Sequence, residues 1–229
     1  MTDTAARVRV LLVGHGRMGR LVEQLAEASG VQIVGHLTRG QSSDATLPQA
    51  DVAIDFSTAE AVYVNAPRLA ARGMSLVIGT TGWQASESQL RDSLGRFPVG
   101  VIAAPNFAIG VNAFSVICER AAELLVRGSG FAPWIHEAHH AAKKDAPSGT
   151  AIALRRVVEA AGSTPVDIAS TRAGHIPGTH TVGFDAVGEG ITLTHTARDR
   201  SPFARGALEA ARWIHGRRGW FTMRDMLGV

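Results

Sequence analysis

Arg7-Val8-Arg9-Val10-Leu11-Leu12-Val13-Gly14-His15-Gly16-Arg17-Met18-Gly19 reads as a buried strand running directly into a glycine-rich turn. The next stretch, Arg17 to Ala28, spaces Met18, Leu21, Val22, Leu25 and Ala26 along one helical face. Strand, glycine turn and helix together open a βαβ unit, the setting in which G-x-G-x-x-G acquires meaning. Glycines let the backbone turn tightly and approach a pyrophosphate, and free N–H groups at the helix start attract its charge. Alone, the motif also fits a plain strand-to-helix turn. Its place on the first strand of an alternating pattern points instead to a dinucleotide.

That pattern continues to Ala104. Val31 to Leu37, Asp51 to Phe56, Ser75 to Ile78 and Val99 to Ala103 read as further strands. Thr58 is placed to cap a helix ending at Arg72, with Gly73 as its stop signal, and a polar helix covers Ser86 to Leu94. Alternating strands and helices predict an α/β fold, a Rossmann-type doubly wound parallel sheet. After Pro105 the texture changes. An amphipathic helix from about Val111 to Val126 precedes a strand at Trp134 to Ala138, a helix at Thr150 to Ala161 and half-polar strands reaching Thr196. A last helix spans Pro202 to His215. Two domains are expected: residues 1–106 with 197–229 for the dinucleotide, and 107–196 as a mixed α/β second domain.

The 229 residues are 45% hydrophobic, enough for a packed core and against disorder. No apolar run approaches the ~20 residues of a membrane span, and Met1 to Arg7 carries no signal-peptide core, so a cytoplasmic protein is expected. One cysteine, Cys118, excludes an internal disulfide framework and a multi-cysteine zinc site. The pI of about 9.7 looks basic, but the net charge is only +3 and no Lys/Arg run exceeds two residues. That argues against nucleic acid and a polybasic membrane patch. Lys143 and Lys144 are the only lysines among 23 basic residues. Arginine keeps its proton, whereas an ammonium can give one up, so either the segment wants an amine or the adjacency is chance.

An acidic residue after the second strand would hold the ribose 2′-OH of NAD, and an arginine suits the 2′-phosphate of NADP. Thr38 and Arg39 stand there, so NADPH is expected over NADH. Two more turns end strands at the same carboxyl edge: Gly79-Thr80-Thr81-Gly82 and Ala104-Pro105-Asn106-Phe107. Both suit the nicotinamide ribose, and both also fit ordinary loops.

The densest polar stretch runs from His136-Glu137-Ala138-His139-His140 through Lys143 and Lys144 to Asp145-Ala146-Pro147-Ser148-Gly149-Thr150. A hydride delivered to an unsaturated carbon leaves negative charge that a proton must quench, and histidine titrates near working pH. Lysine steadies a developing anion or a carboxylate. Ser148 reads as a helix N-cap, so the amides that follow it offer an anion seat. Donor, cation and seat together suggest an acidic substrate. Adjacent strand residues face opposite sides, so His139 and His140 need not act together. No HExxH or cysteine pattern supports zinc, and Ser148 lacks the G-x-S-x-G elbow of a nucleophile.

At these residues the chain resembles the dihydrodipicolinate (4-hydroxy-tetrahydrodipicolinate) reductase family of the diaminopimelate route to lysine. The similarity runs from GHGRMGR through IDFST, VIGTTG and APNFAIGVN to EAHHAAKKDAPSGTA, GEGITLTHTARDRSPFARGAL and FTMRDML. The glycine turn is one residue shorter than the common family form. The resemblance implies NAD(P)H-dependent reduction of a small dicarboxylate, with His139 as proton donor and Lys143 as second donor or carboxylate partner. It places His140, Gly149 and Thr150 on the substrate. It places the cofactor on Gly14, His15, Gly16, Arg17, Met18 and Gly19, on Gly79 to Thr81, and on Ala104 to Phe107. It also implies a homotetramer built by the second domain's sheet, and no metal. A related amino-acid dehydrogenase and a cofactor-sensing protein without turnover are the rival readings.

Overall fold

Each inner strand of the first sheet sends alternate side chains into two separate cores, which is why those strands read as unbroken apolar runs. The computed structural model describes residues 7–38 and 47–229, so Arg39 lies outside the described residues. The chain divides into two compact units, Met1–Ile109 with Ser201–Val229, and Gly110–Arg200.

In the first unit, β1 (Val8–Val13), β2 (Val31–Leu37), β3 (Val52–Asp55), β4 (Ser75–Ile78), β5 (Gly100–Ala103) and β10 (Gly219–Phe221) form one sheet ordered β10-β5-β4-β3-β1-β2. All its pairings are parallel. Val10, Leu12, Val52, Ile54, Val77 and Ile102 face α1 (Arg17–Ala26), α6 (Ser201–Ile214) and α7 (Met223–Leu227). Leu11, Val13, Ala53, Leu76, Ile78 and Val101 face α2 (Ala59–Ala71) and α3 (Glu87–Leu94). The sheet is therefore doubly wound, as expected. The predicted boundaries hold within one or two residues. Thr58 caps α2 through Ala61 N, and Gly73 takes the left-handed backbone that ends the helix (φ +79°).

The C-terminal strand and helix went unpredicted. Strand β10 is three residues long, too short for a period, and exists because β5 pairs with it. α7 had a readable signal: Thr222 accepts from Asp225 N, and the Asp225 carboxylate accepts from Thr222 N.

In the second unit, β6 (Ala132–His139), β7 (Asp167–Arg172), β8 (Gly178–Ala186) and β9 (Glu189–Ala197) form a sheet ordered β7-β6-β8-β9. β6 pairs parallel with β7 and antiparallel with β8, making the sheet mixed. Ile135, Val182 and Phe184 pack on Phe114 and Cys118 of α4 (Ile109–Ser129) and on Leu154 and Val158 of α5 (Gly149–Gly162). The opposite face carries Thr171, Thr181 and Thr194, with exposed hydroxyls bonded across strands. Helical geometry in α4 breaks at Arg127 and Gly128, near the expected end. Burial pushes the Cys118 thiol up to about 12, so it packs as an inert small apolar group. No described helix is long and apolar enough to cross a membrane.

Candidate active site

Strand order reverses between β1 and β3, and in such sheets ligands bind at the carboxyl ends of the strands there. Gly14 follows β1, and Phe56 and Ser57 follow β3. A cavity of about 690 Å³ opens at this point, lined by Gly14, His15, Gly16, Thr38, Ser57 and Arg68 among others.

The three glycines of the turn have three separate jobs. Gly14 adopts φ +85°, and a Cβ there would lie 2.6 Å from the Phe56 carbonyl oxygen. Gly19 lies against the turn itself, where a Cβ would meet the Gly14 carbonyl oxygen at 2.3 Å. Gly16, the N-cap of α1, has no neighbour within 4 Å of an added Cβ. Close packing demands glycine at 14 and 19; at 16 the chain leaves a bare, solvent-facing amide cradle. That cradle fits a pyrophosphate.

The other residues expected at the cofactor divide by side-chain direction. Arg17 is exposed, whereas Met18 packs into the core beneath α1, leaving only its backbone for a ligand. The His15 ring turns aside to the Glu23 carboxylate at 2.7 Å, and His36 approaches the same carboxylate at 3.0 Å. The His15 hydrogen bond, followed by the two imidazole charges, holds the Glu23 carboxyl below its ordinary range. Thr80 is buried: its hydroxyl sits 2.8 Å from Asp55 Oδ1 and 2.8 Å from Ser57 N, tying the ends of β3 and β4 together. Gly79 makes room for the Phe56 ring, and Thr81 is the exposed hydroxyl of that turn. Asn106 Oδ1 accepts from Ala108 N at 2.8 Å; Ala104 and Phe107 are buried and Pro105 is exposed. Thr38 is exposed at the end of β2.

In the second unit, side chains from all four strands meet on the helix-covered face. The strand register sets Glu137 opposite His180 and His180 opposite His195, with Arg172 beside His139. Glu137 is fully buried, and its carboxylate takes one hydrogen bond from His139 Nδ1 and one from Arg172 at 2.7 Å. Burial alone would raise Glu137. The bonds from Arg172, Ser170 and His139 outweigh it and hold the carboxyl at about 2, so it stays ionised. Desolvation lowers His139 below the usual histidine range, with Glu137 pulling the other way and Lys143 and Arg172 adding to the drop. The Arg172 guanidinium also donates to the Asp145 carbonyl, anchoring the loop that carries Lys143. Lys143 Nζ lies 2.8 and 2.9 Å from the two Asp145 oxygens.

His180 stacks edge-on against His139, with ring centroids 5.1 Å apart. Burial and the neighbouring imidazole push it down to about 4, so it is neutral at working pH. Its Nε2 sits 2.9 Å from Ser148 Oγ, which also accepts from Ala151 N as the N-cap of α5. A hydroxyl has one hydrogen and two lone pairs, so Ser148 can bond the amide and the ring at once. His180 braces the cap at the start of α5, where Gly149 is exposed and open around its Cα. His140 is exposed beyond the end of β6, outside this network, and Thr150 is half-buried in the first turn of α5.

Sequence reasoning names His139, Lys143, Ser148, Gly149 and Thr150 as candidates. It assigned nothing to Glu137, Arg172 or His180, and nothing to Gly178, whose absent side chain clears His139 Nε2 (a Cβ would lie 2.9 Å away). Of these only Glu137 had a local signal, its i, i+2 spacing from His139 on one strand face. The cluster Glu137, His139 and His180 has ligand types suited to a metal. Both Glu137 oxygens, His139 Nδ1 and His180 Nε2 are engaged with one another, with Arg172 or with Ser148.

Comparison with known proteins covers nearly the whole chain. Residues 8–107 match the family model for the N-terminus of dihydrodipicolinate reductase, and residues 110–227 match its C-terminus. The 4-hydroxy-tetrahydrodipicolinate reductase of Myxococcus xanthus is 39% identical over 96% of this chain and 98% of its own length. That of Acidiphilium cryptum is 38% identical over 98% of this chain and 99% of its own. The dipicolinate-bound dihydrodipicolinate reductase of Paenisporosarcina sp. TG-14 shares the fold, with a TM-score of 0.80 at 21% identity over 96% of this chain and 99% of that one. Aspartate dehydrogenase from Thermotoga maritima is more distant in fold, with a TM-score of 0.52 at 12% identity over 90% of this chain and 95% of that one. The glycine cradle, the buried Glu137–His139 pair and the capped α5 terminus thus belong to a chain of the dihydrodipicolinate reductase family.

Proposed function

We propose that this chain reduces 4-hydroxy-tetrahydrodipicolinate, the cyclic dicarboxylate that its relatives are named for, to tetrahydrodipicolinate with NADPH, releasing water. One observation carries the reading. A histidine on an ionised buried carboxylate, a lysine and an uncovered helix N-terminus stand together on one face of the second unit. The first unit holds the dinucleotide on the amides of Gly16, Arg17 and Met18, and the second holds the substrate. The bound reduced nicotinamide supplies the hydride.

His139 gives the proton from Nε2. In the free chain its affinity for that proton is depressed, and a doubly charged substrate beside it restores the imidazolium. Lys143, His140 and the amides of Gly149 and Thr150 hold the two carboxylates. Asp145 shares its lysine with the substrate, so the Lys143 side chain is oriented before binding. The cofactor preference rests on Thr38 standing where an acid would select NADH, with Arg39 next to it. We place the enzyme in the cytoplasm as a homotetramer, its subunits meeting through the threonine-lined face of the second sheet.

The test is oxidation of NADPH and NADH by the purified chain with 4-hydroxy-tetrahydrodipicolinate, against reduction of NADP+ and NAD+ with aspartate. His139→Gln is expected to lower kcat about 100-fold or more with a smaller change in KM. Unchanged turnover in that variant would remove His139 from the chemistry. Turnover of aspartate alone would select the amino-acid dehydrogenase reading. Light scattering reads the subunit number.

A further inference from the structure

We infer that Glu137 is the positioning residue for His139: pinned by Arg172, it fixes the imidazole tautomer and turns Nε2 toward the substrate. This rests on the reading of His139 as proton donor and names the group through which its position and proton affinity are set.

Three observations lead to it. Glu137 is fully buried on the same strand face as His139, two residues away, and its Oε2 accepts from Nδ1. Its other oxygen accepts from Arg172 on the adjacent strand at 2.7 Å, so the carboxylate cannot rotate away without breaking a charge-assisted bond. Gly178 on β8 keeps the space at Nε2 clear. A ring held at Nδ1 by a carboxylate presents only Nε2 for proton transfer, and the carboxylate stabilises the imidazolium. Arg172 has a second tie, to the Asp145 carbonyl of the lysine loop. The same guanidinium therefore sets the acid and the lysine relative to each other.

The charged and titratable groups around His139 are Glu137 on its own strand, Arg172 on β7, His180 on β8 and Lys143 in the following loop. Asp145 is bound to Lys143, and His195 on β9 acts on His180. At the N-cap of α5 the Ser148 hydroxyl is bonded to His180. Only Glu137 favours the imidazolium directly, while Arg172 and Lys143 oppose it. Opposite signs follow for two substitutions.

The experiment measures kcat, KM and their pH profiles in Glu137→Gln and Arg172→Gln, alongside the His139 imidazole titration by NMR in the unliganded protein. Glu137→Gln is expected to cut kcat by roughly 10- to 100-fold with KM changed less than about threefold. It also moves the basic limb of kcat and the His139 titration to lower pH. Arg172→Gln moves both to higher pH, and Glu137→Asp regains part of the lost kcat. A purely structural Glu137 would lower folded yield while leaving the pH profile of the folded fraction in place. An unmoved titration in Glu137→Gln, or the same direction of shift in both variants, overturns the proposal. If Glu137→Gln does not fold, the direction in Arg172→Gln decides alone. NMR reads the pairing without turnover. Unchanged turnover in His139→Gln therefore refutes the proton-donor reading, while an unmoved imidazole refutes the Glu137 inference.

Discussion

Replacing single glycines of the phosphate turn separates folding from cofactor binding. Gly16 has φ −77° and ψ −160°, extended backbone open to any residue, and nothing within 4 Å of an added Cβ. In Gly16→Ala the smaller backbone freedom of the unfolded chain stabilises by ~0.4–1 kcal/mol. Losing glycine at the N-cap costs a few tenths or more, so the sum lies near zero. Tm should stay within about 2 °C of the wild type. The methyl, however, fills the cradle a pyrophosphate needs. Loss of one charge-assisted hydrogen bond, roughly 2.7 kcal/mol, weakens NADPH binding about 100-fold.

Gly19→Ala should behave oppositely, because its methyl would meet the Gly14 carbonyl oxygen at 2.3 Å. Separating helix from turn costs about 1–3 kcal/mol and lowers Tm by roughly 2–12 °C. Titration of NADPH by its fluorescence, with thermal unfolding of the same samples, reads both effects. Gly16→Ala with wild-type affinity would falsify the placement of the pyrophosphate on this turn. A Gly16→Ala that melts as early as Gly19→Ala would refute the assignment of separate roles.

The remaining predictions concern the second unit. Lys143→Ala should raise KM and lower kcat, each on the order of tenfold, and weaken inhibition by pyridine-2,6-dicarboxylate; unchanged inhibition takes Lys143 off the carboxylates. In Gly178→Ala the new methyl presses on His139 Nε2, so kcat should drop at least tenfold while Tm moves only a few degrees; wild-type turnover would show that Nε2 does not face the reaction. His180 is held at about 4 in the folded chain against an ordinary 6.5, so the unfolded chain binds the extra proton first. Stability therefore falls as pH drops through 6.5 toward 4, by roughly 3 kcal/mol. His180→Gln keeps an acceptor for Ser148, so its Tm should decline less than the wild type's over that interval. Parallel curves would contradict the assignment.

How much of this was readable follows from how local each cause is. Buried parallel strands announce themselves as short apolar runs, because both faces of each strand meet a core. β4, Ser75–Ile78, was therefore placed to the residue. Thr58 and Ser148 were legible as caps because a cap acts on amides two or three residues away. The glycine turn was legible as a motif, but the division of labour within it was not. Gly14 is constrained by Phe56, which β3 brings alongside. His15 fits a cofactor contact by position, yet its ring is committed to Glu23 across a turn of helix, a pairing the motif does not encode.

The second site reveals a sharper limit. His139 and His140 are adjacent in the chain, which invites reading them as a pair, and strand geometry then separates them. The histidine that touches His139 is His180, carried there because β8 runs antiparallel to β6 in a register that sets it opposite Glu137. Arg172 meets Glu137 from 35 residues away, and Ser148 meets His180 from 32. Register is a property of whole strands, fixed here by the burial of Ile135, Val182 and Phe184 against the helices. A slip of β6 by one residue would turn Glu137 and His139 to the opposite face, away from His180. The hydrophobic alternation of β6 and β8 is thus also what assembles the Glu137–His139–His180 cluster, so core substitutions at Ile135 or Val182 should perturb turnover as well as the fold.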